Sequence, residues 1–94
     1  MDMPQVSECQ VDDCAYNYDG MCHAMAITIG DMTHPRCDTF CASSMQGGEM
    51  DAVAGVGACK TSICMHNMHL ECRAPDISVG YMEGQVDCLT FSAR

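Results

Sequence analysis

Four cysteines recur at nearly the same offsets twice in this chain: Cys9, Cys14, Cys22 and Cys37, then Cys59, Cys64, Cys72 and Cys88. The spacings are C-x4-C-x7-C-x14-C and C-x4-C-x7-C-x15-C. Two such quartets point to two copies of one small module. Each copy is closed either by a four-sulfur metal site or by two disulfides.

The repeat extends beyond sulfur. With Cys9 set on Cys59, Asn17 meets Asn67, Ala24 meets Ala74, Ile27 meets Ile77, Ile29 meets Val79, Gly30 meets Gly80 and Met32 meets Met82. After a one-residue insertion in the second copy, Cys37-Asp38-Thr39-Phe40 aligns with Cys88-Leu89-Thr90-Phe91. Two copies at an offset of about fifty residues make a duplication, because solenoids need three or more.

Size explains why the cysteines matter. Each copy spans about thirty residues from its first cysteine to its Phe, and chains below about 40 residues rarely bury enough surface to fold without a metal, disulfides or a partner. The chain has 94 residues, no Trp, three Tyr and two Phe. A structural zinc ion contributes roughly 10–16 kcal/mol of apparent binding free energy to folding. The expected class is a small metal-stapled (or disulfide-rich) protein of two duplicated modules, with short β-strands and loops and little helix. The expected boundaries are a flexible lead over 1–8, module one over 9–41, a Gly/Ala-rich tether over 42–58 with weak helical potential from Met50 to Val56, and module two over 59–94. Within the modules, Asp19-Gly20 reads as a tight turn. The alternation of Ile27 with Ile29, and of Ile77 with Val79, reads as a strand with one apolar face.

Metal is favoured over disulfide. The N-terminus carries no basic start, apolar h-region or small-residue cleavage site, so it does not read as a secretory signal. The ninth cysteine, Cys41, would be a spare thiol in an oxidising compartment. These features imply a cytoplasmic protein. All eight repeated cysteines are then candidate ligands, with two zinc ions per chain expected, iron as the alternative metal, and no cofactor at all if the cysteines pair as disulfides. Thiolates are soft donors, and a four-cysteine set is a closed tetrahedral site. The spacing is not the usual knuckle, since no C-x2-C occurs.

Charge narrows the partners. The net charge is −9, with Arg36, Lys60, Arg73 and Arg94 as the permanent cations. Phosphate-backbone binding needs clustered Lys and Arg, and anionic membrane surfaces attract basic segments. Neither nucleic acid nor a membrane is an expected partner. An unidentified protein, or a second copy of the chain, is.

Other reactive residues carry weaker signals. His23 aligns with Arg73, His66 with Tyr16 and His69 with Asp19, while His34 falls in the loop of unequal length. Non-repeating histidines read as surface residues. His66 and His69 are worth watching because they lie between Cys64 and Cys72. The ten methionines read as core filler, and Met32 and Met82 as structural. Cys41 aligns with Ser92 and reads as an idle thiol. A closed four-thiolate site has no open position for substrate, and the C-x-x-C of dithiol oxidoreductases is missing, so the chain is not expected to be an enzyme. Metal buffering or thiol sensing, with Cys41 as entry thiol, and iron tetrathiolate electron transfer are the alternatives.

The pattern C-x4-C-x-x-N-x4-C-x-A-x-x-I, a loop, then C-x-T-F resembles a small bacterial family of uncharacterised domains, domain-of-unknown-function family 1540. The matching residues are Cys9, Cys14, Asn17, Cys22, Ala24, Ile27, Cys37, Thr39 and Phe40. In the second copy they are Cys59, Cys64, Asn67, Cys72, Ala74, Ile77, Cys88, Thr90 and Phe91. The resemblance implies a bacterial, cytoplasmic protein with tandem copies and says little about activity.

Overall fold

Each half of the chain folds into the same series of five strands, and the two halves close one barrel between them. The computed structural model describes residues 3–94. The strands are β1 (Gln5–Cys9), β2 (Asn17–Tyr18), β3 (Met21–Cys22), β4 (Ala26–Gly30) and β5 (Arg36–Cys37). They recur as β6 (Gly55–Cys59), β7 (Asn67–Met68), β8 (Glu71–Cys72), β9 (Asp76–Met82) and β10 (Gln85–Cys88). No helix occurs among the described residues.

The barrel runs β1-β6-β4-β5-β10-β9, and β2-β3 and β7-β8 form two separate hairpins. The first strand of each half pairs in parallel with the long strand of the other: β1 with β9, and β6 with β4. The two first strands meet where Val6 N–H donates to Ala54 O and Val56 N–H to Pro4 O, both at 2.9 Å. The matched pair of bonds gives the junction a pseudo-twofold character.

A bulge makes this pairing bury the right side chains. Val6 and Cys9 are three residues apart, as are Val56 and Cys59, and strict alternation sends such pairs to opposite faces. All four are nonetheless buried, at 0, 5, 1 and 6% exposure. The register slips between Val6 and Glu8 in one ladder, and opposite Gly57 between Val56 and Ala58 in the other. One extra residue at each bulge restores the inward direction.

The expected strands carry the core. Ile27, Ile29, Ile77 and Val79 are each 3% exposed or less and join Val6, Val56 and the cysteines in one cluster. The expected turn at Asp19-Gly20 forms with both residues at positive φ, 57° and 79°. The inserted residue of the second copy gives a second such turn, Glu83-Gly84 at 52° and 81°, which extends the β9–β10 ladder out to Met82 opposite Gln85. In the first copy the corresponding loop carries Pro35, which has no N–H to donate, and β4–β5 pairing stops at Gly30 opposite Arg36.

Two expectations require correction. The lead is strand from Gln5 onward, and only its first two residues lie outside the described ones. The segment 42–58 is not a free tether. Gly47 N–H bonds Ala15 O, Glu49 N–H bonds His23 O and Ala54 N–H bonds Cys22 O, and Gly55–Ala58 lies within β6. The helical potential expected from Met50 to Val56 is unrealised. A Gly-Val-Gly-Ala run has weak strand propensity, but its backbone groups complete the other half's sheet, and tertiary pairing overrides propensity.

Candidate metal centres

The duplicated hydrogen bonds place the two quartets in the same way. Asn17 Nδ2 donates to Cys9 O at 2.8 Å, and Asn67 Nδ2 to Cys59 O at 2.7 Å. Thr39 Oγ1 accepts from Thr28 N–H and Thr90 Oγ1 from Ser78 N–H, at 3.1 and 3.0 Å. The C-x4-C loops also match, with Cys14 N–H on Val11 O and Cys64 N–H on Thr61 O. The repeated Asn and Thr are thus fasteners. Asn ties the first cysteine to the β2–β3 or β7–β8 hairpin, and Thr ties the turn after the fourth cysteine to the long strand.

Each quartet converges on one small cavity. Cys9, Cys14, Cys22 and Cys37 all line a cavity of about 10 Å³. Cys59, Cys64, Cys72 and Cys88 all line one of about 20 Å³. Each is about the size that one water occupies. Phe40 lines the first and Phe91 the second, and no carboxylate lines either. No disulfide joins any two of the nine cysteines in the structure. The sulfurs share the cavities without standing in ligand geometry: among the described residues no group of three or more His, Cys, Asp or Glu side chains is arranged to hold an ion.

The electrostatics of these thiols are distinctive. Burial pushes Cys37 and Cys88 up to about 11, with neighbouring thiols of the same quartet adding to the rise. Cys22 and Cys72 are raised by burial and by their own quartet partners too. Backbone amides oppose this. Hydrogen bonding by the backbone amides of Thr39 and Phe40 lowers Cys37, that of Thr90 and Phe91 lowers Cys88, that of Ala24 lowers Cys22 and that of Ala74 lowers Cys72. A usual knuckle aims such amides from a C-x2-C turn. Here C-x-T-F and C-x-A supply them, a signal present in the repeat but legible only once the turns are seen. Buried sulfurs that repel one another's charge, yet face amide donors, suit a thiolate set neutralised by a soft divalent cation. The donor chemistry therefore fits zinc.

The remaining candidates separate clearly. Cys41 is exposed and does not line the first cavity. Of the four histidines only His66 lines either quartet cavity, the second. His34 instead reaches across the halves, with Nε2 3.1 Å from Oδ1 of buried Asp87. The methionines are not core filler: Met25, Met32, Met45, Met65 and Met82 are all exposed, Met25 at 79%. Valine, isoleucine and the cysteines already fill the small interior.

A protein-family model described as Domain of Unknown Function (DUF1540) matches the chain twice, over residues 8–43 and 58–91. Each match encloses one quartet and leaves out most of β1 or β6, the strand that pairs with the opposite half. No curated protein and no solved structure matches the chain. Among the described residues no helix is long and apolar enough to cross a membrane.

Proposed function

We propose that this chain, which belongs to the DUF1540 family, is a tandem zinc-binding protein whose two four-cysteine sites are structural. The observation that carries this reading is the convergence of each whole quartet on one small cavity that no carboxylate lines. Cys9, Cys14, Cys22 and Cys37 would hold one ion, and Cys59, Cys64, Cys72 and Cys88 the other. A bound divalent cation would take the place of the thiol protons at these sulfurs. Zinc bound by four thiolates leaves no position for substrate, so the role is binding rather than catalysis. The exposed acidic loops, including Asp12 and Asp13, form the surface for a protein partner or for a second copy. A reducing compartment such as the cytoplasm keeps the thiols available.

The test is elemental analysis of protein purified without added metal, with thiols counted after denaturation. About two zinc per chain with all nine thiols reactive is the expected result. No metal and a single free thiol would overturn the reading in favour of disulfides. Iron in place of zinc announces itself by a red colour. Replacing Cys14→Ser distinguishes structural metal from buffering: the structural reading expects one ion lost and a lower melting temperature for the whole barrel, whereas buffering expects weaker binding at unchanged stability.

A further inference from the structure

The two cavities differ at one chemically decisive position. Tyr16 lines the first and His66 the second. Their backbones are equivalent, since Tyr16 O accepts from His23 N–H at 2.8 Å and His66 O from Arg73 N–H at 2.7 Å. Only the side chain changes. An imidazole nitrogen is a regular zinc ligand, whereas a neutral phenol is not.

A second asymmetry falls on the same hairpin. Cys22 is buried in the first half, while its counterpart Cys72 is only partly buried; Cys59, Cys64 and Cys88 around it are buried. Cys72 is thus the least buried cysteine of the second quartet, and His66 lines the same cavity. Asn67, next to His66, pairs directly with Cys72 across β7–β8, so His66 and Cys72 lie at the same end of one hairpin.

The geometry points to His66 as a reserve ligand of the second site, able to replace Cys72 and convert a four-cysteine set into three cysteines and one histidine. The inference rests on the zinc reading above. It makes the second site a five-donor centre that keeps its ion when Cys72 is lost, and the first site a four-donor centre that does not. Both donor sets occur in closed tetrahedral zinc sites, so the exchange preserves geometry while removing one negative charge.

Cobalt(II) titration of the metal-free full chain tests this, because cobalt reports its ligands through its d–d and sulfur charge-transfer bands. The native chain should take up about two equivalents. Uptake of none overturns the zinc reading itself, and the His66 inference with it. Given native uptake, Cys22→Ser should hold one ion, and Cys72→Ser should hold two, one with the weaker charge transfer of a three-sulfur, one-nitrogen set. Cys72→Ser combined with His66→Ala should hold one. A transplant guards against simple misfolding of Cys72→Ser: Tyr16→His in the Cys22→Ser background should regain the second ion. Two ions in Cys72→Ser that fall to one when His66→Ala is added support the inference, as does regain of the second ion by the transplant; two ions retained in the double variant overturn it. One ion in both His-bearing variants also overturns it and leaves the zinc reading standing.

Discussion

Lys60 donates its backbone N–H to Ile29 O at 2.6 Å, and Gln10, its counterpart, donates to Val79 O at 2.9 Å. Each bond joins the end of one half's first strand to the other half's long strand. The repeated glycines lie under these crossings. A Cβ at Gly30 would meet Asp38 Oδ2 at 2.5 Å and Lys60 Cε at 3.0 Å, and one at Gly80 would meet Gln10 Oε1 and Leu89 Cδ1, both at 2.8 Å. The halves are therefore interlocked, and neither has a complete sheet of its own.

Interlocking predicts that neither half folds alone. Fragments 1–50 and 51–94, each given excess zinc, should show no dispersed amide NMR spectrum at low concentration. Mixing them should restore one. A well-dispersed monomeric spectrum for either fragment would refute the shared barrel.

The core should be intolerant at equivalent positions in both halves. Ile27 and Ile77 are 2% and 1% exposed, and Ile→Ala at such sites costs about 2–5 kcal/mol. Ile27→Ala and Ile77→Ala should each lower the urea midpoint by a similar amount, in a single transition. Two separable transitions would show that the halves unfold independently.

Backbone conformation makes a pair of opposite predictions. The second hairpin turn places two side-chain-bearing residues in the left-handed region, His69 at φ 53° and Leu70 at φ 68°, where the first uses Asp19 and Gly20. Left-handed conformation costs a residue with a side chain roughly 1–2 kcal/mol, so Leu70→Gly should raise stability by about 1 kcal/mol. Conversely, Gly48 has φ 86°, and a Cβ there would strike the carbonyl of His23. Gly48→Ala should destabilise by more than about 1 kcal/mol. A neutral Gly48→Ala would mean that the segment 42–58 is a loose tether after all.

The stability of the metal-free protein should fall at alkaline pH. Burial raises the Cys37 and Cys88 thiols from 9.0 to about 11 in the fold. A raised folded value means that the neutral thiol is favoured in the native state. The stabilisation is fully present below the unfolded value and is lost as pH climbs through the folded one. In chelator, the melting temperature should drop between about pH 9 and pH 11. The zinc-loaded protein should behave in the opposite sense at low pH, where protons compete for the ligands. An apo melting temperature flat to pH 11 would contradict the burial argument.

Alkylation should single out one thiol. Cys41 is exposed while six of the eight quartet cysteines are buried. Iodoacetamide at neutral pH should modify Cys41 first in the folded protein, and Cys41→Ser should abolish that fast phase. Rapid labelling of Cys37 or Cys88 instead would show that the cavities open easily.

Much of the local structure was legible from residues alone, for identifiable reasons. The alternation around Ile27 and Ile77 specified strands because one face had to be apolar. Asp-Gly specified a left-handed turn because glycine has no Cβ to clash. The C-x-T-F repeat was visible in both copies, although its use, with Thr39 and Thr90 Oγ1 accepting from Thr28 and Ser78 N–H, shows only in three dimensions. The exposure of the methionines was not legible in the sequence, because apolar character says nothing about whether the small interior has room for them.

The sequence by itself determined two equivalent modules, the strand around Ile27 and Ile77 in each, and the two cysteine sets, because spacing and periodicity are local properties written along the chain. Tertiary structure alone decided that β1 and β6 cross into the opposite half, that the glycine-rich segment is docked, and that His66 reaches a cavity which His69 does not. Those outcomes depend on which backbone groups lack partners after local folding. In a half too small to bury its own core, the missing partners come from the other copy.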